Sequence, residues 1–246
     1  YDISESIIKS NYRLIYDDVS DMLENNNDEQ INKYIDAYPM LTDASELYHI
    51  LSRRRKRDGS LDFDLPESRI ILNEDGEPID VILSDRRVAN RLIEEFMLAA
   101  NRTVAEHYFW VKKPFAYRVH EKPDTLKMME LKEFLINLGF SLNGKSDSIK
   151  TKELSNILTM LDGKPEEALV SRVMIRTMQK AYYSTECLGH YGLAFKYYCH
   201  FTSPIRRYSD LLVHRTIKNQ IHAGDYISSE KGYKTFLEDT CKHISE

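Results

Sequence analysis

Cysteine is scarce in this chain, with Cys187, Cys199 and Cys241 the only three among 246 residues. The number is odd and no C-x-x-C spacing occurs, which excludes a disulfide framework and a thiolate zinc site and points to a reducing compartment. No apolar run approaches the roughly 20 residues that a membrane-spanning helix needs. There is no signal-peptide pattern, so the expected location is the cytoplasm. The chain opens at Tyr1 without Met and reads as a piece of something longer. Several catalytic fingerprints are also missing: Walker A, G-x-G-x-x-G, G-x-S-x-G and H-E-x-x-H. The net charge of -5 excludes only a uniformly basic nucleic-acid binder, because a local groove can be basic on an acidic protein.

What is present is enough apolar material for a core. Hydrophobic residues make up 42% of the chain, with 16 Tyr and 9 Phe, so disorder throughout is excluded. No period of 20 to 50 residues recurs, which argues against a solenoid. Ala44, Leu47 and Leu51 recur at helical spacing after an Asp43/Glu46 capping box, and Arg53 to Arg57 followed by Gly59 suits a helix end. The period then becomes two. Leu61, Phe63 and Leu65 predict a strand, and the segments 69–72 and 79–83 predict a hairpin around Asp75-Gly76. Helical spacing returns from Asp85 to about Tyr108, and a short strand is expected over Ala116 to Val119. Further helices are expected around Leu131–Leu138, around Leu154–Leu161 with Thr151 as cap, and after Pro165. The last clear helix is expected to start at Ser203-Pro204. The fold class read from this is α+β, helix-rich with a small antiparallel sheet, and nothing forces two domains.

The stretch from His200 to Asp210 carries the most chemistry. If Ser203 caps a helix and Pro204 opens it, free N–H groups attract an anion. Thr202 and Ser203 add hydroxyls, and Arg206 adds a planar cation suited to phosphate. The plainer alternative is a capped helix in which Arg206 pairs with Asp210 four residues on. Arg207 is expected to point about 100° away from Arg206 and to be more tolerant of change. Phe63 is either a base-stacking aromatic beside a basic cluster or a core residue. Tyr16 has the same two readings. The run Arg53–Arg57 either tracks an RNA backbone or is a solvated face. Glu94 and Glu95 are neighbours on one helix, so only one of them can face a given site. Asp62 and Asp64 share a strand face, and Asp17, Asp18 and Asp21 lie within a turn, yet neither group has a further acid at metal-site spacing.

Taken in order, several segments resemble the catalytic domain of the ribonuclease II/ribonuclease R family of exoribonucleases. They are Tyr12 to Leu23, Arg54 to Phe63, Ala89 to Asn101, Tyr117 to His120, Gly189 to Leu193 and His200 to Tyr208, with Thr202-Ser203-Pro204-Ile205-Arg206 the most specific. The ribonuclease R branch is the nearer one, judged by His200-Phe201 and by Leu61 to Pro66, although Ser209 stands where Pro is common. The resemblance implies a processive hydrolase that works 3′ to 5′ on single-stranded RNA and releases nucleoside 5′-monophosphates with magnesium. It implies Arg206 at the scissile phosphate, Phe63 and Tyr16 against the bases of the 3′ end, and Glu94 at the terminal nucleotide. It further implies that residues 1–246 are the central and C-terminal part of one catalytic domain. The family's magnesium-binding aspartate segment and its flanking OB-fold barrels would lie outside this chain. On that expectation the parent protein is an enzyme, while the piece alone holds no magnesium and is inactive. The competing expectation is a non-catalytic RNA-binding or helical interaction module. No membrane partner is expected.

Overall fold

The computed structural model describes residues 1–63, 67–84, 86–142, 149–222 and 230–246. The chain begins with three helices, α1 (Tyr16–Asn25), α2 (Asp28–Lys33) and α3 (Tyr38–Asp58). A hairpin follows, β1 (Glu67–Leu72) and β2 (Pro78–Ser84), then the long helix α4 (Val88–Val111) and a short strand β3 (Tyr117–Val119). Helices α5 (Thr125–Asn137), α6 (Thr151–Leu161) and α7 (Glu167–Thr177) lead to β4 (Tyr182–Ser184), and α8 (Tyr208–His222) and α9 (Glu230–His243) close the chain. Both sheets among the described residues are two-stranded and antiparallel, β1 with β2 and β3 with β4. The helix-rich α+β reading therefore holds.

The local chemistry explains most boundaries and corrects several expected ones. Helix α3 starts at Tyr38, not near Asp43, because Pro39 sits in its first turn where a missing N–H does no harm. It ends at Gly59, whose φ of 91° only glycine adopts easily. A Cβ there would lie 2.7 Å from Cα of Lys152, so Gly59 also lets α3 meet α6. The strand expected over 61–65 is not formed at Leu61–Phe63, and Asp64 and Leu65 lie outside the described residues. Leu61 instead donates its N–H to Gly192 O, 2.8 Å away across the fold. The hairpin does turn at Asp75-Gly76, with Asn73 Oδ1 accepting from the N–H groups of Asp75 and Glu77. Thr151 is the first residue of α6 and is buried, so it is not the cap; Lys150 precedes it.

Three apolar clusters hold these elements. The first packs Val104, Ala105 and Tyr108 of α4 against Phe115, Val119, Val213 and Ile217. The second joins Leu61 to α5, α6 and α7 through Leu131, Leu135, Leu154 and Met174. The third packs α1 and α3 on the start of α4. Cys199 and Cys241 serve as small core side chains, and burial pushes the Cys241 thiol up to about 11. No helix among the described residues is long and apolar enough to cross a membrane.

Candidate functional site

Helix α4 is the spine of the site. Near its C-terminal half, Asn101 is buried at 2% exposure. Its Oδ1 accepts the N–H groups of Phe201 (3.0 Å) and Thr202 (3.2 Å), and its Nδ2 donates to Tyr198 Oη (3.3 Å). Cys199 Sγ donates to its main-chain carbonyl. One side chain thus fastens the whole segment that precedes the Thr202–Arg206 turn. From α8, His214 stacks on Phe201 at 4.4 Å and contacts its carbonyl through Nε2.

The turn itself departs from the capped helix expected at Ser203-Pro204. Helix α8 begins at Tyr208, five residues later than Ser203. The N–H of Ser203 goes to Asp210 Oδ1 at 2.7 Å, while Ser203 O accepts from both Arg206 N and Arg207 N. Those donors are therefore consumed, and Ser203 offers no free N–H to an anion. The Arg206–Asp210 pair does not form either. Arg207 takes Asp210 instead, with Nε and Nη2 each 2.8 Å from a carboxylate oxygen. Burial alone would raise the Asp210 carboxyl, but the bonds from Arg207, Ser203 and Ser209 hold it below the usual carboxylate range. Arg207 is thus a bracing residue and not the tolerant neighbour expected. Arg206 is exposed, and beyond its main-chain bond to Ser203 O its guanidinium makes no ion pair or hydrogen bond with any described residue, leaving its planar donor set open to solvent. The Thr202 Oγ1 is enclosed and has no hydrogen-bond partner among the described residues.

Behind the turn lie three histidines that burial keeps neutral. Burial, with Arg207 and Arg118 nearby, drives His200 down to about 4, and burial with His120 and Arg118 drives His190 down to about 3. His200 Nδ1 meets Tyr183 Oη at 2.8 Å, and Arg118 sits over the Tyr183 ring at 4.6 Å.

At the other end of α4, a charged lattice gathers three more of the expected residues. Arg55 donates to Glu95 (2.6 Å), Ser60 Oγ (3.0 Å) and Asp62 (3.0 Å). It is therefore a buried tie and not part of an RNA-tracking run. Arg86 pairs with Asp62 at 3.7 Å and also with Glu94. Arg87 pairs with Asp17, Asp21 and Glu24 of α1. The Arg86-Arg87 dipeptide thereby brings Glu94, the Asp62-Phe63 step and the Tyr16-Asp17 step into one neighbourhood. The two adjacent glutamates divide as helical geometry requires: Glu95 is buried at 5% and Glu94 is the outward one. Tyr16 is exposed at 51%, while Phe63 is half-buried and packs against the second core cluster. Glu94 and Asn101 are seven residues apart on α4, so they share a face about 10 Å apart. That spacing sets the three-residue group and the Arg206 turn along one side of the helix.

The described residues do not fit the magnesium that the resemblance implies. Among the described residues no group of three or more His, Cys, Asp or Glu could hold a metal ion. The two acidic groups in the sequence are spoken for by cations, Asp62 by Arg55 and Asp18 by Lys33. Asp64 lies outside the described residues.

Comparison with known proteins places this geometry in a family. The RNB domain matches residues 1–223. The chain belongs to the RNB domain family. Ribonuclease R 1 of Lactococcus lactis subsp. lactis (strain IL1403) is 43% identical over 218 residues, which cover 89% of this chain and 27% of that protein. Ribonuclease R of Aquifex aeolicus (strain VF5) is 41% identical over 250 residues, covering 100% of this chain and 34% of that one. Among solved structures, Mycoplasma genitalium RNase R in complex with ribose methylated single-stranded RNA superposes with a TM-score of 0.81 at 28% identity, over 94% of this chain and 36% of that one. The chain thus spans about a third of the length of these relatives.

The sequence alone does not mark Asn101 or the Arg207–Asp210 pair as parts of the site, and it does not separate Arg55 from the rest of the run Arg53–Arg57. For Asn101 a signal existed, since an Asn in the middle of an apolar helix face is a poor helix former that needs a partner. For Arg55 the surrounding run of cations hid the one that is buried.

Proposed function

We propose that this chain is the RNA-holding part of a processive 3′-to-5′ exoribonuclease that degrades single-stranded RNA to nucleoside 5′-monophosphates in the cytoplasm. The observation that carries this is Arg206. Its guanidinium is open to solvent on a turn fixed from two sides, by Asn101 of α4 and by the Arg207–Asp210 pair at the start of α8. A cation held in place before the ligand arrives is suited to charge that develops on a phosphate during cleavage. The group at Arg86-Arg87 supplies the rest of the grip. Tyr16 and Phe63 offer ring faces to bases, and Glu94 offers an acceptor to a ribose hydroxyl. Relatives named ribonuclease R and a neighbour solved with single-stranded RNA support the substrate class.

The chain's own residues bind, orient and stabilise charge. Hydrolysis with magnesium needs converging carboxylates, and the described residues do not provide them. We therefore propose that this chain as it stands binds RNA without degrading it. That same observation favours the second reading, a non-catalytic RNA-binding module.

The test is hydrolysis and binding together. The purified chain with magnesium and a labelled RNA bearing a 3′ overhang should bind and release no mononucleotide; release would refute its inactivity. In a longer polypeptide that does hydrolyse, Arg206→Ala should cut turnover about 10²-fold or more, while affinity falls far less because other contacts remain. Arg206→Lys should rescue poorly, since a point charge lacks the planar fork. Equal losses in turnover and affinity would remove Arg206 from the scissile phosphate.

A further inference from the structure

Away from the Arg206 turn, a groove of about 1080 Å³ runs between the start of α6, the segment after β3 and the loop 187–196. Lys122, Lys150, Lys152 and Lys196 line it and are all exposed. An adjoining cavity of about 750 Å³ shares Lys122 and adds Lys127, Arg176 and Lys180. None of these seven cations is ion-paired with a described residue. The acids in the two cavities are Asp58 and Glu121, and both have partners. Asp58 lies near Arg54 and Arg57, and Glu121 accepts from Tyr182 Oη at 2.6 Å. In a chain of net charge -5, these seven cations outnumber the two lining acids, of which Glu121 keeps its charge, and give the two cavities a net positive potential.

We propose that this lysine-lined groove is a second RNA-binding surface, which grips phosphates of the strand upstream of the end held at Arg206. The inference rests on the RNA-holding reading above. Three features favour an RNA strand over an acidic protein. Lysines are mobile point charges and follow a flexible phosphate chain without demanding a fixed partner geometry. Tyr191 and Phe195, both half-buried, line the same groove beside the lysines, which puts aromatic edges next to cations as single-strand binding surfaces do. The groove wall is also packed through the interior onto the Arg206 turn. Ring neighbours lead from His120 to His190 (4.9 Å), to Tyr198 (5.2 Å) and to His200 (5.7 Å), directly behind that turn.

The groove is built into the fold. Gly59 lets the end of α3 seat against Lys152, as its close approach shows. Gly192 joins the wall to the second core by accepting from Leu61 N and donating to His120 Nδ1 (3.1 Å). His120 is 9% exposed, lines the groove, and faces the main chain of Gln179 as well as the Gly192 N–H.

The test compares RNA length. The 246-residue chain and its Lys122→Gln/Lys150→Gln/Lys152→Gln/Lys196→Gln variant are titrated with labelled single strands of about 4 and about 20 nucleotides. The expected result is at least a tenfold loss of affinity for the long RNA and less than a twofold loss for the short one. The salt slope for the long RNA should fall by about 3, since each phosphate contact contributes roughly 0.7. No loss for the long RNA, or the same loss for both lengths, would overturn the groove while leaving the Arg206 reading intact. Failure of the unmodified chain to bind either RNA would sink both. A polyglutamate peptide that competes as well as RNA of equal charge would assign the groove to an acidic protein and overturn the proposal. Because a misfolded variant would mislead, the unmodified chain is also crosslinked to long RNA carrying photoreactive bases upstream. Adducts at Tyr191 or Phe195 are expected, and adducts confined to the Arg206 and Phe63 neighbourhoods would count against it.

Discussion

Arg207, just before α8, and Asp210 in its first turn close a two-point ion pair, and in doing so they leave the preceding Arg206 as the outward guanidinium. The Asp210 side chain is wholly buried, and Arg207 is 22% exposed. Removing one partner strands the other charge in a place where water cannot reach it well. Arg207→Ala or Asp210→Asn should therefore lower unfolding stability by about 3–5 kcal/mol. Arg206→Ala, which touches no described partner, should stay within about 0.5 kcal/mol. Urea unfolding of the three variants checks this, and a larger stability loss at Arg206 than at Arg207 would reverse the two roles.

A similar contrast separates the adjacent glutamates of α4. Glu95 neutralises Arg55, whose side chain is only 10% exposed, whereas Glu94 meets Arg86 at the surface. Glu95→Ala should cost about 1.5–3 kcal/mol, because the buried Arg55 loses one of its two carboxylates and keeps only Asp62, and Glu94→Ala less than about 1 kcal/mol. The RNA effect should run the other way, with Glu94→Ala weakening the grip on the terminal nucleotide. Thermal melts beside RNA titrations provide the comparison; the roles fail if both variants lose stability equally.

These pairs also show how far the sequence could be read. Periodicity locates the long helix and the three helices of the second core, because each buries a regular apolar stripe, whereas Asp75-Gly76 locates the 73–77 turn of a hairpin whose apolar side chains mostly stay exposed. Thr202 to Arg206 stands out as a motif, yet its geometry differs from the helix opening expected at Ser203-Pro204. Ser-Pro is a proper helix opening, but the carboxylate of Asp210 captures Ser203 N and delays the helix to Tyr208. Nothing in local spacing says which of two adjacent arginines, or of two adjacent glutamates, turns inward. That choice depends on Asn101, Arg55 and other residues that are distant in sequence. The alternation around Phe63 mimicked a strand because Leu61 and Phe63 both pack on the second core from an irregular segment.

Phe63 accordingly carries two jobs. Truncation to Ala should remove a stacking platform, weakening RNA by roughly 1–3 kcal/mol. It should also lower stability by about 1–2 kcal/mol, because the half-buried ring packs on the second core. Phe63→Leu should recover most of the stability and little of the RNA affinity. If Leu restores both, the ring does not stack on a base.

The buried histidines give the fold a defined acid response. His200 is held down to about 4 and His190 to about 3, against about 6.5 in an unfolded chain. As pH falls below 6.5 the unfolded chain takes up protons that the folded chain refuses, so stability drops. The loss runs from about pH 6.5 down to about pH 4 for His200 and further for His190, at roughly 1.4 kcal/mol per pH unit for each. Asp210 adds to it only at the acid end, since its folded carboxyl lies below the usual carboxylate range and its bonds persist until it protonates. Between pH 6 and pH 4.5 the histidines should therefore dominate. His200→Gln removes one of them and also the contact with Tyr183 Oη, so it should lower stability at pH 7. Its stability should nonetheless fall less steeply with acid, by about 1.4 kcal/mol per pH unit over that range. Unfolding curves at several pH values read the slope directly. An unchanged slope in His200→Gln would mean that His200 is protonated in the folded chain, contrary to its buried setting beside Arg118 and Arg207.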